Sequence, residues 1–134
     1  MRDLHNNLAF VVALNTAAIT SNTATIGAII DTRGFDSLEF AIKSGTLTDG
    51  TYTPALTEGD APDLSDGSPV AAGDLLGTVA DATFAATDDN KVKKLGYRGN
   101  KRFVRLSLVS AGAATGGTIG AVAALGHPRT VPVA

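Results

Sequence analysis

The chain has 134 residues and a formal net charge of −2 at neutral pH, from 13 acids and 11 bases; this length suits one domain and buries roughly two thirds of the unfolded surface. It has no cysteine, which excludes a disulfide framework, a thiolate zinc or iron–sulfur centre and a cysteine nucleophile. The 13 Leu, 10 Val, 6 Ile and 5 Phe can build a core, whereas the 22 Ala, 15 Gly and 16 Thr point to no enzyme class.

In chain order, residues 1–7 are mostly polar and read as an arm. Arg2 followed by the apolar run Leu8 to Leu14 has the outline of a secretory signal, but Asp3, His5, Asn6 and Asn7 interrupt it. Neither this run nor Ile119 to Gly126 approaches the roughly 20 apolar residues that span a bilayer. Leu8 to Leu14 and Ala24 to Ile30 are strand candidates. Asp36 to Lys43 alternates cleanly, with Leu38, Phe40 and Ile42 facing one way and Ser37, Glu39, Ala41 and Lys43 the other, as a half-buried strand requires. Thr51 to Thr57 is a further candidate, placed by Pro54 at an edge or a bulge.

Thr57 to Gly73, rich in Asp, Pro and Gly, predicts a long exposed loop. Strand candidates resume at Leu75 to Ala80 and Val92 to Tyr97. Arg102 to Ser110 follows, with Val104, Leu106 and Leu108 inward, Arg105 and Ser107 outward, and Phe103 and Val109 available to a second apolar surface. Thr118 to Leu125 is the last. Turn chemistry separates these segments at Asp31-Thr32-Arg33-Gly34, Asp49-Gly50, Asp66-Gly67-Ser68-Pro69, Asp88-Asp89-Asn90, Arg98-Gly99-Asn100 and Gly116-Gly117. His127 to Ala134, with Pro128 and Pro132, reads as a second arm. The expectation is one all-β domain, an antiparallel β-sandwich or jelly roll over 8–126, with extended arms at 1–7 and 127–134.

Charge is distributed unevenly. Ser44 to Asn90 has nine of the 13 acids and no Lys or Arg, whereas Lys91 to Arg105 has seven of the 11 bases and no acid. Such asymmetry favours contact with complementary surfaces, including other copies of the chain. Tyr97 and Phe103 in the basic stretch would suit stacking on single-stranded nucleic acid, but the acidic block argues against that partner.

The constellations that carry chemistry do not hold together. Gly112 to Gly117 has the glycine spacing of a phosphate-binding loop, but Thr118 stands where a lysine must reach the phosphates. Asp60, Asp63, Asp66 and Gly67 offer hard oxygen ligands at the wrong spacing for a calcium loop, and no bidentate Glu follows. His5 and His127 lie at opposite ends, leaving a Ser-His-Asp assembly or histidine metal set without local support. Glu39 and Glu58 do not suggest a glycosidase pair. The reading is of a protein that is not an enzyme and takes no cofactor or metal.

Several segments form a recognisable set: Met1-Arg2-Asp3-Leu4-His5-Asn6-Asn7, Gly34-Phe35-Asp36-Ser37-Leu38-Glu39-Phe40, Glu58-Gly59-Asp60 with Leu64-Ser65-Asp66, and Asp74-Leu75-Leu76-Gly77-Thr78. Asp88-Asp89-Asn90-Lys91 through Leu95-Gly96-Tyr97, then Lys101-Arg102-Phe103-Val104-Arg105-Leu106 and Ala124-Leu125-Gly126-His127-Pro128 complete it. Together they resemble a family of small virion structural proteins of tailed bacteriophages and prophages.

The resemblance spans nearly the whole chain. It implies a head decoration, or cement, protein that binds outside the major capsid shell and stabilises it, located on the virion after synthesis in the bacterial cytoplasm. A tail or neck component, such as a tube, completion or connector protein, is the alternative. The implied partners are the phage major capsid protein and further copies of the chain, a homotrimer by analogy, and not a membrane. Residues expected to meet a partner are Lys91, Arg98, Lys101 and Arg102 in the basic stretch and Arg129, Val131 and Val133 in the C-terminal arm, with the arms ordering on docking.

Overall fold

The computed structural model describes residues 3–131, so the outermost part of each predicted arm, Val133 included, lies outside the described residues. The strands are β1 (Ala9–Ile19), β2 (Ala24–Asp31), β3 (Phe35–Leu47), β4 (Thr51–Gly59), β5 (Ser68–Pro69), β6 (Leu75–Leu76), β7 (Val92–Tyr97), β8 (Phe103–Ala111) and β9 (Gly117–Pro128). A 3-10 turn at Ala72–Asp74 precedes β6. No helix among the described residues is long and apolar enough to cross a membrane.

Two antiparallel sheets, β1-β9-β3-β7-β6 and β2-β8-β4-β5, enclose the core. The pairings nest: β1 with β9, β2 with β8, β3 with β7, and β4 with β5. Pairing of β3 with β9 and of β4 with β8 then completes the sheets. A ribbon of nested antiparallel pairs, rolled so that successive pairs fall in opposite sheets, is a jelly roll, one of the two architectures the sequence predicts.

Alternation fills the interior as expected. Leu38, Phe40 and Ile42 from β3 meet Val104, Leu106 and Leu108 from β8 in one buried cluster, each large side chain contributing about 1.5–3 kcal/mol by leaving water. Ser107, expected to face solvent, is instead buried, because β8 is central and Ile26 and Ala55 flank it on either side. Pro54 sits where a missing N–H costs nothing. Tyr52 pairs outward with Phe84 and the Leu56 carbonyl accepts from the Val70 N–H, so by strand alternation the Pro54 nitrogen points between them, to the unpaired side of β4.

Elsewhere the structure departs from the sequence reading. The strand predicted over Leu75 to Ala80 stops at Leu76 because Gly77 adopts φ 91° and turns the chain. The loop predicted over Thr57 to Gly73 is shorter, since Thr57 and Glu58 pair with Pro69 and Ser68. Residues 3–7 of the predicted arm are not extended: Asp3 Oδ1 accepts the Asn6 N–H and the Leu4 carbonyl accepts the Asn7 N–H, forming a turn. At the other end β9 runs on to Pro128, paired with Phe35, so the boundary at 126/127 falls inside a strand.

Gly27 of β2 lies tight against the backbone of two neighbouring strands. A Cβ there would lie 2.3 Å from the Ala13 carbonyl oxygen and 2.4 Å from that of Leu106, both rigid backbone. Gly27→Ala is expected to lower the melting temperature by several degrees, about 1–3 kcal/mol of overpacking; an unchanged melt would mean that β1 and β2 can separate freely.

Candidate functional site

Four segments meet at one end of the sandwich: the turn after β2, the loop after β4, the β7–β8 connection and the residues that follow β9. They enclose a cleft of about 400 Å³, whose lining includes Arg33, Lys101, Arg102 and Arg129 beside Asp36 and Asp60. Local chemistry sets each piece. Asp31 Oδ1 accepts the Arg33 N–H at 3.0 Å and Gly34 takes φ 88°, which closes the first turn. Asp66 accepts the Asp60 and Ala61 N–H groups at 2.9 and 3.1 Å, winding the second loop round its carboxylate. Gly99 lies against the Tyr97 ring, where a Cβ would come within 2.4 Å of the phenolic oxygen. That hydroxyl donates to Glu58 at 2.6 Å and accepts from the Lys101 N–H at 3.0 Å; burial and the neighbouring carboxylate push its pKa far above the ordinary tyrosine value.

The basic stretch finds much of its counter-charge within the chain. Lys101 donates to Asp60 at 2.9 Å, Arg102 grips Asp31 with two bonds of 2.8 Å, and Arg129 reaches Asp36 at 3.2 Å. Lys91 and Lys93 share Asp88 at 3.1 and 3.2 Å. The charge asymmetry that suggested an external acidic surface is thus met in part inside the molecule. Exposed pairs of this kind add little stability individually; they hold the loops in register.

Of the predicted contact residues, Lys101, Arg102 and Arg129 line this cleft, and Arg98 lies on the same β7–β8 connection, its Nε donating to the Gly73 carbonyl at 3.0 Å. Val131 is exposed just beyond Arg129. Lys91 is separated from them by the length of β7 and stands at the opposite end. Val133 lies outside the described residues.

Three constellations weighed in the sequence have structural explanations. The loop Gly112 to Gly116 does cradle an anion, but its own: the Asp49 carboxylate accepts N–H bonds from Ala114, Thr115 and Gly116 at 3.2, 3.1 and 2.6 Å, which lowers its pKa. Asp60, Asp63 and Asp66 are turned to Lys101 and to local N–H groups. The fold brings Ser37 and His127, ninety positions apart, into hydrogen-bond contact through Oγ and Nδ1. No carboxylate bonds to that imidazole among the described residues, and the contact links the adjoining strands β3 and β9.

The outer face of the five-stranded sheet is a surface that sequence reasoning missed. Register aligns Phe10, Ala124, Glu39, Gly96 and Leu76 across it, with Val12, Val122, Ala41 and Lys94 in the next row. Two clefts, of about 720 and 730 Å³, lie on this side, and Glu39 lines both. Partial burial raises the Glu39 pKa, a rise that Lys94 opposes. The signal was present in Phe10-Val11-Val12, three successive apolar residues that break alternation and leave apolar side chains facing outward.

No family model matches the chain, and no curated protein sequence matches it. Two solved structures are among those to which the chain is similar. The SPBc2 prophage-derived protein YomS superposes with a TM-score of 0.43 at 13% identity, covering 89% of this chain and 92% of that one. The structure of infectious bursal disease virus, Gx strain, gives a TM-score of 0.47 at 13% identity, covering 93% of this chain and 35% of that one. The chain therefore spans about a third of the length of the latter.

Proposed function

We propose that the protein is a structural component of a tailed-phage particle, bound to the outside of the head as a decoration protein. The observation that supports this reading best is the nested strand order, an architecture used in viral capsid domains. Arg98, Lys101, Arg102, Arg129 and Val131 lie on the loop cluster at one end and form the proposed docking end. Lys101, Arg102 and Arg129 already sit in ion pairs, which lowers the ordering entropy that docking of these side chains costs.

Purified particles decide between head and tail. Quantitative mass spectrometry with a labelled image reconstruction is expected to find hundreds of copies spread over the head, against roughly six to twelve for a neck or tail ring. A single ring at one vertex or on the tail would replace decoration by the connector or tube reading; absence from the particle would end both.

A further inference from the structure

The β1 side of the outer sheet face is apolar and open. Phe10, Val12 and Val122 are 68%, 54% and 39% exposed, and register sets Val12 directly beside Val122. Strand β1 carries no charged residue and no proline, and its outer edge pairs with no other strand among the described residues. Edge strands are ordinarily guarded against adventitious contact by lysine, proline or a bulge. In β1 the register shifts begin only after Val12, leaving Ala9 to Val12 unguarded. An apolar surface of this kind marks a contact site.

We propose that this face packs against the same face of a second copy of the chain. Charge is the first reason for that occupant. Glu39 and Lys94 stand on the face together, in adjoining rows of β3 and β7, so a two-fold axis can set each acid against the partner's lysine, as an interface between identical patches requires. Relief is the second. Phe10 rises at the β1 edge, and beside it Ala124 and Gly126 border a cleft of about 720 Å³ whose other walls include Leu8, Glu39 and Leu76. Each copy thus offers a ridge and a groove.

Four strands at roughly 4.8 Å spacing and seven residues at about 3.3 Å rise give a face about 19 Å by 23 Å. Two such faces together cover on the order of 900 Å², at the small end of specific interfaces, where association is weak and transient. The inference does not depend on a virion role, and its test uses the purified full-length chain alone.

Sedimentation equilibrium between about 1 and 100 μM is expected to show self-association. Phe10→Glu and Val12→Lys, both at exposed positions, should each weaken it at least about 30-fold while leaving the circular dichroism spectrum unchanged. Ile26→Lys, on the opposite sheet and 57% exposed, should leave association intact. Because the chain has no cysteine, Val12→Cys provides a second measurement: a short bis-maleimide should link two copies. A wild-type chain that stays monomeric throughout overturns the proposal. So does association that survives both β1 substitutions or is abolished by Ile26→Lys, and a monomer that binds phage heads through Phe10 would give the face to the shell.

Discussion

Phe84→Ala is expected to cost about 3–5 kcal/mol of folding stability, a large part of the about 5–15 kcal/mol that holds such a domain together. Phe84 is fully buried although it lies in the irregular connection between β6 and β7. Its amide and carbonyl pair with those of Tyr52 at 2.9 and 2.8 Å, fixing the backbone that carries the ring. The Lys93 ammonium lies 5.1 Å from the ring centroid and donates to the Thr83 carbonyl at 2.6 Å. With the connection held on both sides, the walls around the lost ring can collapse only partly, and the cavity remains. Urea and thermal melts measure the loss; a change below about 1 kcal/mol would show that the connection moves in to fill the space.

Acid should loosen the molecule in a defined window. The melting temperature is expected to be nearly level from neutral pH to about 5 and to fall steeply below about 4. Hydrogen bonds hold the carboxyls of Asp49, Asp66 and Asp31 below their ordinary value of 3.8. Asp88 is lowered to about 2 by the Ala85 N–H and by Lys91 and Lys93. A carboxyl with a depressed folded pKa takes up its proton more readily when the chain is unfolded. Its contribution is therefore complete above the unfolded value and lost as pH falls through the folded one. Glu39 acts in the opposite sense, since burial raises its pKa and protonation relieves that burial, so it offsets a small part of the loss. Circular dichroism melts from pH 7 to 2 test the sign, and a level melting temperature to about pH 2.5 would mean that these carboxylates do not hold the fold together.

Strands β3 and β8 were legible because each has one face in the core, and that asymmetry is written directly into alternation. The turns were legible through Gly and Asp, whose local chemistry needs no distant partner. What the sequence concealed was long-range. Thr78 to Asn90 has no periodicity, and Phe84 enters the core only because Tyr52 offers it a backbone partner. Asp49 gives no sign that it will occupy the glycine-rich loop 65 to 67 positions later. The acidic and basic blocks looked like two surfaces awaiting outside partners because they are separate along the chain. The fold sets Asp60 beside Lys101 and Asp31 beside Arg102, pairings that no local pattern encodes. In the candidate site, sequence reasoning found most of the cations but not their counter-ions, and it passed over the outer sheet face because the unbroken apolar run Leu8 to Leu14 has no alternation to say which side faces out.

Strand β9, last in the chain, lies between β1 and β3. While the ribosome is still making residues 117–128, β1 has no partner in its own sheet, and the junction of Ala9 with Leu125 cannot form. Closing a loop of that length carries a large entropic cost and places the fold among slow, non-local folders, on the scale of milliseconds to seconds. The five-stranded sheet therefore closes only once β9 has been made. A polypeptide whose β9 is not yet made leaves uncovered the β1 side chains that the finished sheet buries, Leu14 and Ile19 among them, the kind of transient apolar surface that chaperones hold.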